Sequence, residues 1–557
     1  MIYIEEKIPK KLAGTSSLFV SFKYNPDIVA IVKTCWPSNF DKKTNIWEIP
    51  ATCLAQFVNE VSPIDEIELK LLRTKEEKFV NYELGKYKTK PFSYQEDAIQ
   101  YGLNKDKWLL LDPPGLGKTL QTLLLAQELK ERHNIEHCLV ICGVNTLKTN
   151  WEKEIAKHTN LSSMILGKRL TRNNKVVFES VAYRLEQLKK PIKEFFVITN
   201  VETLRNNDIV KQLNDGKNKF DMVIFDELHT CKNPTSRQGA NLLKLKSPKY
   251  KIGLTGTLLM NSPLDAYMPL KWIGADNSTY SNFKYQYSVF GGPFNNDVVG
   301  YRNLTYLQDQ INSVSLRRPK SLLNLPPKTI ITEYVDMPDR QCSFYQDVEN
   351  GVKEAVNKVE LKPSMVLSLA MRLRQATACP SILTTDIIPS GKIDRTLDLC
   401  DQIISSGSKV VIFSTFKETV YELQKLLAQY NPLIGTGDIS DDEISINVDT
   451  FQQNSENKVF IGTWQKCGTG FTLTAANYMI FIDTPWTDAA FTQNCDRIYR
   501  IGTDTPVTIY NLVAKDTIDE RVLEIVEDKS AISNYVLDGE ITQKSLASLQ
   551  KYIEELR

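Results

Sequence analysis

No two of the ten cysteines stand in a CxxC pair. They are scattered, and several, Cys138 and Cys142 among them, lie inside apolar runs. That pattern argues against a disulfide framework or a zinc site and for reduced, buried thiols in a cytosolic compartment. No apolar run reaches the 18 or so residues of a membrane span, so none is expected. The opening MIYIEEKIPKKLAGT lacks the apolar core of a secretory leader. Excess charge is missing too: 68 Lys and Arg against 67 Asp and Glu leave +1. A globally basic chain is excluded, but a local basic groove for nucleic acid is not. What remains is ordinary globular composition, 42% hydrophobic and 24% charged over 557 residues, long enough for about three domains.

The most informative stretch is WLLLDPPGLGKTLQT, residues 108–122. Trp108 to Leu111 reads as a buried strand. Asp112-Pro113-Pro114-Gly115-Leu116-Gly117 reads as a tight turn, and Lys118-Thr119 opens an apolar helix. Strand, glycine turn, Lys-Thr and helix is the context of a phosphate-binding loop. The N–H groups of Gly115, Leu116 and Gly117 would face a phosphate chain. Lys118 would meet the β- and γ-phosphates, and the Thr119 hydroxyl would hold Mg²⁺. A lysine at a helix N-terminus is electrostatically unfavourable unless an anion offsets it. The strict motif has Gly where Asp112 stands.

Other motifs are spaced along the chain. Gln95, after the aromatics Phe92 and Tyr94, is placed to hydrogen-bond an adenine edge; the alternative is a helix cap led by Ser93. The strand HCLVICG leads to Asn145, Lys148 and Trp151 at a helix start suited to a backbone phosphate. Lys175 to Phe178 and Phe195 to Thr199 read as further strands of a parallel α/β sheet. Met222 to His229 is an apolar strand ending in Asp226 and Glu227. There Asp226 could hold Mg²⁺ through water and Glu227 could activate a water. Lys232-Asn233-Pro234 follows as an exposed basic loop. Thr255-Gly256-Thr257 closes the next strand, and its hydroxyls could couple the site to a second lobe.

LRRPK (316–320) touches DNA or is simply solvated, and LPPK (325–328) marks a hinge. A second α/β unit starts near Ser390. It holds KVVIFSTF with Thr415, the glycine turn at 467–473 with Gly470, and Trp486, which stacks on a base or packs. In QNCDRIYRIG, Arg497 and Arg500 stand three apart, on one helix face, as an arginine finger needs. Residues 1–73 read as a small α+β module with a hairpin around Lys42-Lys43. Trp36 and Trp47 lie beside it, and the module either touches nucleic acid or is an ordinary small core. Residues 74–90 read as a linker or a frayed helix.

Taken together, LLLDPPGLGKTLQT, DELH, KIGLTGTLLMNSP, LRRPK, LPPK, KVVIFSTF, GTGFTLTAAN and QNCDRIYRIG resemble the Swi/Snf-type branch of superfamily-two helicases over residues 91 to about 530. Asp112 matches the acidic residue usual in that branch. The resemblance implies an α/β fold of two RecA-like parallel-sheet lobes with helical insertions. Lobe one would span 91–273, insertions and hinge 274–389, lobe two 390–530 and a tail 531–557. It implies ATP and Mg²⁺ as cofactors and DNA, duplex or branched, as partner. Lys118, Thr119, Asp226, Glu227, Arg497, Arg500 and Gln95 match the nucleotide motifs. Asn145, Lys148, Lys232, Asn233, Thr415 and Trp486 are the nucleic-acid candidates. No membrane partner is expected, and the chain is expected to be monomeric.

The family's Pro after TGT is Leu258 here, and its double glycine is Cys467-Gly468. Its His is Tyr499, and its Asn-Pro after the Trp is Thr487-Asp488. Tyr24-Asn25-Pro26-Asp27 with Phe40-Asp41, Thr44, Trp47 and Pro50 is similar to the HepA-related-protein module of annealing helicases. Short insertions disfavour nucleosome remodelling, and the compact size suits the cytoplasm of a bacterium or phage-infected host. The resemblance implies ATP-driven translocation on duplex or branched DNA without routine strand separation; a strand-separating DNA or RNA helicase and a nucleotide-gated scaffold with weak turnover stay open.

Overall fold

The computed structural model describes residues 1–7, 17–35, 38–70, 79–143, 147–170, 176–259, 262–291, 297–358, 363–468, 471–524 and 526. Asn145, Gly470, Trp36 and the tail 531–557 lie outside them. The chain divides into two compact units, with the break between Pro319 and Lys320.

In the first unit, the amino-terminal module is a mixed five-stranded sheet with its own core. Strands β1 (Ile2–Lys7), β2 (Ser17–Ser21), β3 (Asn39–Asp41), β4 (Ile46–Pro50) and β5 (Ile67–Lys70) lie in the order β3-β4-β2-β1-β5. Helices α1 (Pro26–Thr34) and α2 (Leu54–Val61) accompany them. Asn25 caps α1 by accepting from the N–H of Asp27, and Pro26 sits in its first turn, as the sequence Asn-Pro-Asp favours. Ile2, Ile4, Leu18, Val20, Ile28 and Phe57 form the core.

The rest of the first unit is built on a seven-stranded parallel sheet. Its strands are β6 (Lys107–Leu110), β7 (His137–Cys142), β8 (Ser163–Ile165), β11 (Phe196–Asn200), β12 (Phe220–Asp226), β13 (Tyr250–Leu254) and β16 (Ser315–Leu316), in the order β16-β6-β13-β12-β7-β11-β8. The strands read as continuous apolar runs because both faces are covered. Leu109, Leu139, Ile141 and Val223 face one core; Trp108, Leu110, Val140 and Ile224 face the other. The expected strand at 175–178 is instead half of a two-stranded hairpin, β9 (Lys168–Leu170) with β10 (Val176–Phe178). A second hairpin, β14 (Ser288–Gly291) with β15 (Asp297–Tyr301), lies between the helices Tyr280–Tyr287 and Leu304–Ser313.

The second unit carries a six-stranded parallel sheet: β17 (Lys328–Val335), β18 (Val410–Ser414), β19 (Leu433–Gly435), β20 (Val459–Thr463), β21 (Tyr478–Phe481) and β22 (Val507–Ala514), in the order β17-β22-β21-β18-β20-β19. The expected region of insertions and hinge, 274–389, is shared between the two units. Residues up to Pro319 belong to the first unit, because β16 pairs with β6. Residues from Lys320 belong to the second, because β17 pairs with β22 along its whole length.

Residues 79–90 are neither a loose linker nor a frayed helix. They run extended along α3 (Ser93–Asn104) and α4 (Lys118–His133). The Gly85 N–H and the Tyr87 hydroxyl both donate to Glu128 Oε1, at 2.6 and 2.7 Å, and Arg132 closes on Glu128 Oε2 at 2.7 Å. Asn104 and Gln100 pair with the backbone of Val80 and Tyr82. Glu128 is 1% exposed, so its removal strands three donors at once. Glu128→Ala is therefore expected to destabilise the first unit by about 2–3 kcal/mol, seen as a lower urea midpoint at unchanged slope. An unmoved midpoint would show that the strap does not support the unit.

Candidate functional site

The sheet order β6-β13-β12 brings three separate motifs side by side at the carboxyl ends of parallel strands, where open α/β sheets bind ligands. The phosphate-loop sequence follows β6, Thr255 to Thr257 follow β13, and Asp226-Glu227 end β12. Gly115 and Gly117 have φ of +94° and +77°, a region costly for residues with a Cβ. Lys118 begins α4, and its Nζ donates to the Asp112 carbonyl at 2.7 Å. Thr119 follows in the same first turn.

Asp112 is fully buried. Its Oδ1 accepts from the Arg318 backbone N–H and Nε, each at 3.1 Å, and its Oδ2 meets Arg318 Nη2. Gln121 Oε1 accepts from the same guanidinium at 2.6 Å, and Arg318 also reaches the Tyr94 carbonyl. The acidic residue in the loop thus has a structural cause. LRRPK is not a solvated or DNA-facing cluster at Arg318, which is 8% exposed and locks the loop.

Gln95 is buried against the loop: a Cβ on Gly117 would lie 2.5 Å from its Nε2. Its Oε1 accepts the Phe92 N–H at 3.0 Å, so Gln95, not Ser93, caps the start of α3. Phe92 and Tyr94 stack with centroids 5.8 Å apart.

Around the carboxylates, Trp151 of α5 (Leu147–His158) donates its indole N–H to Asp226 Oδ2 at 2.8 Å. The Glu227 N–H donates to Asp226 Oδ1 at 3.0 Å. Burial, then the adjacent Glu227 charge, push Asp226 up to about 6, while Trp151 and Lys118 pull the other way. Glu227 is left-handed, φ 54° and ψ 51°, which is uncommon without a glycine and typical of a functional turn. His229 Nδ1 lies 3.2 Å from Glu227 Oε2 and 3.0 Å from Thr255 Oγ1, with Thr257 Oγ1 at 3.5 Å. The TGT hydroxyls therefore reach the glutamate through His229. Trp151, His229 and Arg318 are site residues that motif spacing missed, although two of them sit inside quoted motifs.

In the second unit the helix Asp488–Cys495 stops before the two arginines. Arg497 and Arg500 are not on a helix face; they stand on a turn. Arg497 donates from Nε to the Gln493 carbonyl at 3.2 Å and from Nη1 to the Phe471 carbonyl at 3.1 Å. Arg500 Nη1 lies 3.0 Å from Thr472 Oγ1. The glycine-turn segment and the arginine motif are thus brought together.

Three departures from the family pattern are accommodated locally. Leu258 is 1% exposed in the first core. Cys467 nests where a Cβ on Gly435 or Gly462 would lie 2.3 or 2.9 Å from its sulfur, so those two glycines make room for the thiol. Thr487 caps the helix Asp488–Cys495, its Oγ1 accepting the Ala490 N–H at 3.2 Å.

The nucleic-acid candidates scatter. Lys148 is 3% exposed and so does not face solvent as a DNA contact must. Lys232 is paired with Asp265 at 2.9 Å, and the exposed Asn233 accepts the Thr235 N–H in its own turn. Thr415 and Trp486 share one network. The Thr415 N–H donates to Asp483 at 3.0 Å, Asp483 meets Arg374 at 3.3 Å, and Arg374 lies 4.6 Å over the Trp486 ring. Trp486 thus packs on a buried arginine. All ten cysteines are free. Among the described residues no helix is long and apolar enough to cross a membrane.

Residues 76–382 match the family model described as SNF2-related domain, and residues 392–502 match Helicase conserved C-terminal domain. The CHD3-type chromatin-remodeling factor CHR7 of Arabidopsis thaliana is 26% identical, over 92% of this chain and 43% of its own length. The ISWI chromatin-remodeling complex ATPase ISW2 of Saccharomyces cerevisiae is 28% identical, over 81% of this chain and 41% of its own. The DNA annealing helicase and endonuclease ZRANB3 of Bos taurus is 25% identical, over 82% and 41%. The chain spans less than half the length of these relatives. A solved Sulfolobus solfataricus SWI2/SNF2 ATPase core in complex with dsDNA is similar at 24% identity and a TM-score of 0.37, covering 84% of this chain and 99% of that one.

Proposed function

This chain belongs to the SNF2-related family of ATP-dependent helicases and translocases, and from that membership we propose that it hydrolyses ATP to move along duplex or branched DNA without routine strand separation. The observation that carries the reading is the meeting of the phosphate loop, Asp226-Glu227 and the TGT hydroxyls at one sheet edge. Lys118 neutralises the β- and γ-phosphates, and Glu227 orients and deprotonates the attacking water. Arg497 and Arg500 offset charge that develops on the transferred phosphoryl group.

Mg²⁺ would be held by Thr119 and, through water, by Asp226, and would supply charge neutralisation at the phosphates. The site fits that ion: Asp226 is fixed by Trp151 and a backbone N–H with lone pairs to spare. Among the described residues no group of three or more His, Cys, Asp or Glu could cage a metal. Few protein ligands, with phosphates and water completing the shell, is the magnesium pattern.

We further read the module of residues 1–70 as the part that meets branched DNA. Its exposed Lys42 and Lys43 lie on a hairpin beside the Phe40–Trp47 ring pair, centroids 4.8 Å apart. We place the protein, as a monomer, in the cytoplasm of a bacterium or an infected host. The ten free thiols support a reducing compartment.

The test is steady-state ATPase with no nucleic acid, single-stranded DNA, duplex DNA, forked DNA and RNA. Duplex or forked DNA is expected to stimulate turnover. Stimulation should fall steeply with salt, because phosphate contacts release counterions, and should vanish in Lys118→Ala. Stimulation by single strands or RNA alone would favour a strand-separating helicase. No stimulation by anything would favour a gated scaffold.

A further inference from the structure

The two arginines stand just past the helix Asp488–Cys495, where the regular i→i−4 ladder gives out. The N–H groups of Arg497, Ile498 and Tyr499 still bond back to the Asn494 and Cys495 carbonyls, at 3.0–3.2 Å, and other backbone groups of the turn find partners beyond it. The Arg497 carbonyl accepts the Leu473 N–H at 2.9 Å. The Arg500 N–H donates to Thr503 Oγ1 at 3.2 Å. The Tyr499 carbonyl accepts Lys320 Nζ at 2.8 Å.

Lys320 does more than this. Its ammonium also pairs with Asp496, a carboxylate only 2% exposed, and stands 4.7 Å over the Tyr499 ring centroid. Lys328 Nζ lies 5.3 Å from the same centroid. Burial presses both members of the ion pair toward their neutral forms, Lys320 downward and Asp496 upward.

Lys320, Lys328 and Arg497 all place positive charge close to Asp496. The electron-rich face of an aromatic ring attracts cations, most strongly where water is excluded. The Tyr499 ring meets both Lys320 and Lys328 in this way. Where the family has a histidine, which would add positive charge whenever protonated, this chain has a phenol.

We propose that Lys320 and the Tyr499 ring form a clamp that positions the arginine turn, so that Arg497 and Arg500 are held ready for the terminal phosphate. Both are positioning residues and touch no reacting atom. The inference rests on the proposed role of the two arginines. The clamp works through the two arginines on the charge that develops during phosphoryl transfer, whereas ATP itself is gripped mainly by the phosphate loop. Weakening it lowers kcat and leaves KM nearly alone.

The experiment compares Tyr499→Leu, Tyr499→Phe, Lys320→Met and Arg500→Ala in the full chain. DNA-stimulated ATPase is fitted for kcat and KM, and thermal unfolding checks each variant's fold. Arg500→Ala is expected to abolish most turnover. Tyr499→Leu and Lys320→Met should each lower kcat about tenfold with KM for ATP within twofold. Tyr499→Phe, which keeps the ring, should restore turnover to within twofold of the parent. The double variant Tyr499→Leu/Lys320→Met should lose little more than either single one, since the two groups act as one device. If Arg500→Ala is inactive while Tyr499→Leu and Lys320→Met keep full kcat, the clamp is wrong and the arginine assignment stands. An active Arg500→Ala protein overturns the arginine assignment and the clamp with it. Loss in Tyr499→Phe as large as in Tyr499→Leu overturns the role of the ring.

Discussion

Glu227→Gln is expected to bind ATP as the parent does and to turn it over about 10²–10⁴-fold more slowly, the usual share of a general base. The substitution keeps size and hydrogen-bonding reach and removes only the proton acceptor. Affinity should survive because, in the proposed site, Lys118 and the loop N–H groups rather than Glu227 grip the phosphates. Glu227 is also held in place independently of substrate: its left-handed backbone ends β12, and His229 lies 3.2 Å from its carboxylate. Fluorescent-nucleotide binding and steady-state ATPase, measured on the same preparation, separate the two effects. Undiminished turnover would remove Glu227 from the mechanism; lost binding would make it a structural residue of the loop.

Arg318→Ala carries the largest expected cost in stability, about 3–5 kcal/mol, because it leaves a buried carboxylate without its partner. Asp112 has no exposed surface through which water could compensate. The same change frees the start of the phosphate loop, so nucleotide affinity should fall together with the unfolding midpoint. A second variant tests the cause. Replacing both partners, Asp112→Leu with Arg318→Met, removes the charge as well as its counter-charge and should recover part of the lost stability. If the double variant is less stable than Arg318→Ala alone, the guanidinium matters through Gln121 and the Tyr94 carbonyl rather than through the ion pair.

Strands and nucleotide motifs were legible for one reason. Parallel strands covered on both faces leave unbroken apolar runs, and a loop that wraps phosphate needs glycine at positive φ. Trp108 to Leu111, Met222 to Asp226 and Lys409 to Phe416 show this; the strand ends shift by a residue or two at most. The arginine turn shows the opposite. QNCDRIYRIG has helical spacing, yet the helix ends at Cys495, because Leu473, Thr503 and Lys320 take backbone groups the next turn would use. None of those partners is near in sequence except Thr503. The strap at 79–90 was hidden likewise, since Glu128 looks like a surface carboxylate until Gly85 and Tyr87 are seen to donate to it.

The α/β class, the phosphate loop, the carboxylate pair and the family could all be read along the chain, because these rest on local backbone demands and on chemistry carried by adjacent residues. That Asp112 belongs to Arg318, that Lys148 is buried, that the units part at Pro319 and that Lys320 bonds the Tyr499 carbonyl emerge only from the folded chain. Each of those depends on charges and hydrogen-bond partners far apart along the chain. Pairing at such separations leaves no periodicity or spacing in the sequence from which it could be read.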